Sequence, residues 1–153
     1  MPMKRLTRIS FGSTAALVTN MALVTGMDAI GASRPTIVTA LLIAALADNL
    51  TDALSIHIYQ ESERLEPREA FVGTLSNFAA RLTVSLTFVS LVVLLPAAVV
   101  VPASIIWGTL LLTVLTYLLA RERKVSVAAE IGKHLLSAAA VLVISRGIAH
   151  YLA

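Results

Sequence analysis

Asp48 and Asp52 stand four residues apart, with Asn49 between them, inside a run that is otherwise almost wholly apolar. Four residues make about one helical turn, so the two carboxylates share a helix face that Ser55 and Tyr59 continue. Asn20 lies within an upstream apolar run and Arg81 within a downstream one. Oxygen donors from Asp48, Asp52, Asn49 and Asn20 suit a hard divalent cation, with Met21 or Met27 at hand as a softer ligand. The same carboxylates suit a proton relay, with Arg81 as the internal counter-charge. The structural alternative pairs Asp48 with Arg81 to hold helices together and leaves Asp52 neutral. It gives the second carboxylate no role, which favours a cation- or proton-binding site.

The elements that position these groups are apolar segments at about 9–30, 36–58, 70–95, 101–120 and 125–152. About 20 helical residues cross a hydrocarbon core of ~30 Å, and each segment reaches or approaches that length. The chain is 58% hydrophobic and 14% charged, against ~25% charged residues in ordinary soluble domains. It has too little polar surface to cover itself in water. Helices satisfy their own backbone groups in lipid and an open sheet does not. The expected fold class is therefore all-α: one transmembrane domain over residues 1–153, a polytopic bundle of five helices. Short connections at 31–35, 59–69, 96–102 and 121–124 make neighbouring helices antiparallel. Lys4, Arg5, Arg8, Arg64, Arg68, Arg121, Arg123 and Lys124 then fall on one side and Arg34 on the other. Basic residues collect in the cytoplasm, so the orientation is N-in and C-out.

Depth gives the polar groups their weight, since each ionised side chain at the bilayer centre costs about 2.5–3.5 kcal/mol on insertion scales. Counted from Ile58, Asp48 lies roughly 15 Å into the membrane; counted from Ala70, Arg81 lies roughly 16 Å in. Asn20, counted from Ile9, shares that level, so the first three helices are expected to meet in one polar layer. Asp28 and Arg146 fall near outer helix ends. His57, Glu130, Lys133 and His134 fall near inner ends, where the spacing of the last three fits a salt-bridged turn. His150 and Tyr151, and with them Trp107 and Tyr117, are expected as interfacial anchors.

Several function classes drop out. There is no cysteine, hence no disulfide framework and no thiolate metal site. The net charge of +3 comes from basic residues at helix ends rather than along a face, which argues against nucleic-acid binding. Ser55 and His57 lie on different helix faces and no Gly-x-Ser-x-Gly occurs, so no enzyme is expected. The basic start followed by an apolar run has the outline of a signal peptide, but the run from Ile9 to Ile30 is long for one and contains Asn20. Exporters of organic cations use aromatic-lined cavities, and this chain has one Trp, three Tyr and four Phe.

Ala22-Leu23-Val24-Thr25-Gly26 followed by Gly31-Ala32-Ser33, Ala47-Asp48 ahead of Ser55, and a short link after the second helix together resemble the vacuolar iron transporter family in a short form. The likeness continues through a glycine-bearing helix from Trp107, the basic turn Arg121 to Lys124, and a last helix closing on Arg146-Gly147. The resemblance implies a homodimer without a resident cofactor, and the expected location is a bacterial inner (plasma) membrane. It also implies that ferrous or manganous ions are moved out of the cytoplasm by proton exchange, along a path lined by the first two helices. Asp48 matches the aspartate of the family's Ala-Asp motif. Where the family has Ser-Met this chain has Thr51-Asp52, where it has Gly-Glu-Tyr this chain has Ser55-Ile56-His57, and its first-helix Asp-Gly falls at Ala15-Ala16. The family's cytoplasmic metal-collecting helices are missing, with only Glu61, Glu63, Glu66 and Glu69 in their place. Exchanging a soft Met for Asp52 favours harder ions or protons over ferrous iron, and Arg81 would occupy a cation's place electrostatically. The resemblance thus implies a divalent-cation transporter with altered site residues, set against a non-transporting membrane scaffold or partner subunit with a structural Asp/Arg pair.

Overall fold

The computed structural model describes residues 5–62 and 67–152 as five α-helices: α1 (Arg5–Ala29), α2 (Arg34–Ser62), α3 (Pro67–Leu94), α4 (Ala97–Arg123) and α5 (Val127–Leu152). Lys4, Glu63, Arg64 and Glu66 lie outside the described residues. The helices overrun the apolar segments at their charged ends, because Glu, Arg and Gln are good helix formers that continue a turn past the hydrocarbon edge. The clearest departure from the sequence expectation is the third connection. Residues 97–101 are helical, so only Leu95 and Pro96 separate α3 from α4, and Pro102 sits inside α4. Proline at that point forfeits one backbone bond near the helix start, where few bonds have yet formed.

The helix ends are set by local chemistry. Gly31 adopts φ +68°, and the bonds Gly31 N–H to Asp28 O (2.9 Å) and Ala32 N–H to Met27 O (3.0 Å) close α1 in a Schellman turn. Ser33 then accepts from the Thr36 amide and opens α2. Lys124 closes α4 in the same way at φ 57°, with Val125 N–H bonded to Ala120 O. Arg34 crosses to the end of α3, donating to the carbonyls of Val93 (3.1 Å) and Leu95 (2.8 Å). Those carbonyls have no intrahelical partner, and their partial negative charge favours a cation.

Helix α1 is the axis of the bundle and packs against all four others. Around it α2 packs on α3, α3 on α4 and α4 on α5, leaving the side between α5 and α2 open. The buried face of α4 is an every-fourth-residue stripe, Val100, Ser104, Gly108, Leu112, Thr116 and Ala120. Its small members let α1 approach closely: a Cβ at Gly108 would overlap the Met21 thioether. Farther out, the Ser145 hydroxyl donates to Ala22 O at 2.8 Å and ties α5 to α1.

The outward faces are apolar. Leu46, Leu50, Leu54 and Ile58 on α2, Phe71 and Leu75 on α3, and Leu136, Val143 and Ile144 on α5 are all exposed. Four helical stretches, Arg34–Tyr59, Phe71–Leu94, Ala97–Arg123 and Val127–Leu152, are long and apolar enough to cross a membrane. This is an all-helical integral membrane protein whose outer surface requires lipid. Because a left-handed backbone suits glycine and strains other residues, Gly31→Ala should lower and Lys124→Gly should raise stability, each by about 1 kcal/mol; thermal unfolding in detergent would measure both.

Candidate functional site

Midway along the bundle the apolar packing of α1, α2 and α3 is interrupted by a cavity of about 10 Å³, roughly the room one water molecule needs. Asn20 and Thr19 reach it from α1, Asp48 and Asn49 from α2, and Arg81 and Ser85 from α3. Asn20 is buried and its side-chain amide donates to Ala16 O (2.7 Å) and to the Ser85 hydroxyl (2.9 Å). Asn49 is buried and donates to Phe78 O across the α2–α3 seam at 3.1 Å. Its other side-chain atom, Oδ1, is buried without a hydrogen-bond partner. A buried acceptor beside a polar cavity is the usual setting for a bound water.

Arg81 is 5% exposed, and its guanidinium donates to the carboxylate of Asp52 in an ion pair. The structural pair read from the sequence, Asp48 with Arg81, is therefore corrected to Asp52 with Arg81. The bond from Asn49 to Phe78 O shows that the backbones of residues 48 and 81 do stand near one level. Side chains on a helix lean toward its N-terminus, however. Helix α3 starts at the end where α2 finishes, so the Arg81 head swings about one turn toward Asp52, while Asp52 leans back to meet it.

Asp48 and Asp52 accordingly play different parts. Asp52 is half-exposed, with its side chain 43% accessible, and is spent on Arg81. Asp48 borders the cavity and is exposed on the open side of the bundle. It makes no hydrogen bond or ion pair among the described residues. Met21, expected as a soft ligand, is buried against Gly108 on the α4 side of α1, away from the cavity; consecutive helix positions point about 100° apart, so Asn20 and Met21 cannot both face α3. Met27 packs on the apolar core. Among the described residues no group of three or more His, Asp or Glu side chains is placed to hold a metal ion.

Sequence inspection missed Ser85 and Asn77. Both are buried and lie four residues either side of Arg81, a spacing that was there to be read as a polar stripe along α3. Trp107, expected as an interfacial anchor, is instead half-buried between α3 and α4, its indole N–H donating to the Thr87 hydroxyl at 3.0 Å. Tyr117 is exposed beneath the Arg121 guanidinium; His150 and Tyr151 are exposed at the end of α5. At the other end of α5, Glu130 bonds Lys133 at 2.9 Å, and His134 shares a hydrogen bond with Thr116 at 3.3 Å.

Removing the Asp52 carboxylate leaves the buried Arg81 guanidinium uncompensated, whereas replacing both partners of such a pair with apolar residues is often neutral or better. Asp52→Leu should therefore cost about 3 kcal/mol, and adding Arg81→Met should restore most of it, as read from thermal unfolding of the three variants in detergent. Comparison with protein-family models, with curated proteins and with solved structures gives no match for this chain.

Proposed function

We propose that the chain is a proton-linked cation transporter working as a homodimer, with Asp48 as the carboxylate that binds the moving ion. The observation that carries this reading is the division of labour between the two aspartates. Asp52 is committed to Arg81, while Asp48 stands beside a one-water cavity at mid-depth without an ion-pair partner among the described residues. An idle carboxylate there is costly, and ionisable groups kept inside membranes typically line ion or proton paths.

All five helices span the bilayer in this reading. Helix α1 packs against all four long apolar ones, and 25 residues reach about 37 Å. The basic turns set the N-terminus and the α2–α3 and α4–α5 connections in the cytoplasm and the C-terminus outside, and a bacterial inner membrane suits this arrangement. The homodimer follows from the open side of the bundle. Thr19 and Ala22 on α1 and Ala40, Ala44, Ala47 and Thr51 on α2 are exposed or half-buried small residues on the side of Asp48. Small side chains are what close helix approach in a membrane uses, and a second copy seated there brings two Asp48 carboxylates together.

Divalent iron and manganese enter through the sequence resemblance. One carboxylate per chain beside a fixed guanidinium makes a weak site for a doubly charged ion, so the proton is the better-supported passenger and the metal depends on the paired Asp48 groups. The scaffold alternative rests on the Asp52–Arg81 pair, which is sufficient to explain two of the three charges without transport.

Reconstitution into proteoliposomes under a pH gradient separates the two. Uptake of ferrous or manganous ions with counter-flow of protons is expected, with Asp48→Asn reducing both at least about tenfold while leaving thermal stability intact. Equal fluxes through the parent and Asp48→Asn, or no flux of either ion above empty vesicles, would sink the transporter reading. The swap Asp52→Arg with Arg81→Asp should retain the fold in either case.

A further inference from the structure

A second polar opening lies on the far side of α1 from Asp48. Between α1, α4 and α5, at the end where α4 turns into α5, a pocket of about 420 Å³ has an apolar wall that includes Val18 and Leu119. Its polar edge carries Arg123, Glu130, His134 and Thr116. Glu130 is already engaged, bonded to Lys133 at 2.9 Å with Arg123 at 3.9 Å. The Arg123 side chain is 63% exposed, so most of its donors are uncommitted. When the Thr116 hydroxyl donates to His134 Nδ1, the ring proton sits on Nε2, which is then free to donate.

The balance of charge decides what such a pocket accepts. Arg123 and Lys133 meet one carboxylate, Glu130, and in the adjoining turn Arg121 and Lys124 outnumber Glu122. The surplus of positive charge disfavours a metal cation. A free inorganic anion would leave the Val18 and Leu119 wall exposed to water, and among the described residues no aromatic side chain lines the pocket to stack a base. An amphiphile with a phosphate head matches both halves: donors at the rim and hydrocarbon along the wall. The position matches too, because α4 and α5 are peripheral helices with lipid-facing outer surfaces, and basic pockets between helices on the cytoplasmic side suit anionic head groups.

We propose that this pocket binds an anionic membrane phospholipid, its phosphate held by Arg123 and His134 and an acyl chain laid along Val18 and Leu119. Glu130 acts as a positioning residue that holds Lys133 and Arg123 at the rim. Occupancy ties the α4–α5 turn to α1 at the cytoplasmic surface, independently of any transport through the Asp48 layer.

The test is native mass spectrometry of the purified full chain in neutral detergent, titrated with phosphatidylglycerol, with phosphatidylcholine and with inorganic phosphate. Phosphatidylglycerol should be retained at least about fivefold better than phosphatidylcholine, and Arg123→Ala should lose about fivefold in that affinity, the worth of one basic residue at an anionic surface. Arg146→Ala, at the opposite end of α5, should bind as the parent does, and excess inorganic phosphate should not displace the lipid. Leu119→Trp, which fills the apolar wall and keeps every charge, should also exclude the lipid, and it carries the test should Arg123→Ala fold poorly. Equal binding of the two lipids, indifference to Arg123→Ala or to Leu119→Trp, or displacement by phosphate alone would each overturn the proposal.

Discussion

A guanidinium held almost out of reach of solvent, halfway along a bundle whose outside is hydrocarbon, is the constraint around which the first three helices are arranged. That guanidinium is Arg81. A charge left unpaired at that depth would be costly, so it must be met where it stands. Asp52 meets it, and that fixes the rotation of α2 and α3 about their axes and their offset along the seam. With Asp52 turned inward, Asn49 is carried to the buried face, where it bonds Phe78 O. Asp48 is carried to the rim. The polar layer of Asn20, Asn49, Arg81 and Ser85 is thus a consequence of one neutralised charge rather than a collection of separate polar residues. Leaving the buried Arg81 unpaired would be costly, so the pair favours alignments of α2 against α3 that keep Asp52 within its reach.

Much of this was legible beforehand. The apolar runs marked the helices, and equal counting from the ends at which α1 and α3 start and α2 finishes put Asn20, Asp48 and Arg81 at one depth, where one cavity now gathers them. Positions along a helix axis follow from a fixed rise per residue, so depth is the quantity a sequence reports best. Direction is reported less well. The choice of Asp52 over Asp48 turns on the lean of side chains toward helix N-termini, an offset of one turn that counting backbones does not register. Met21 was misread for a related reason: its place beside Asn20 in the sequence hides a rotation that points it at Gly108 on another helix. Trp107 illustrates a third limit. An amphipathic ring near a membrane serves equally as an interfacial anchor or as a bridge, and only the presence of Thr87 across the α3–α4 seam decides between them.

The bundle is built by small residues as much as by large ones. Gly26 lies where a Cβ would meet the Ser145 hydroxyl at 2.5 Å, and Gly108 lies where one would meet Met21. In hydrocarbon there is no expulsion of water to drive helices together, so association relies on close fit and on bonds such as Ser145 to Ala22 O. Helix α5 shows how little suffices. Only 6% of its spanning window is buried, and it is held along one narrow seam to α1 and α4 while most of its surface is left to lipid.

The Leu95–Pro96 junction couples α3 to α4. A link this short leaves no slack between the two helices, so α4 must turn straight back along α3 and neither can shift far without the other. Residues 67–123 are accordingly joined as a tight helical hairpin, which the Trp107 bond to Thr87 fastens across the seam.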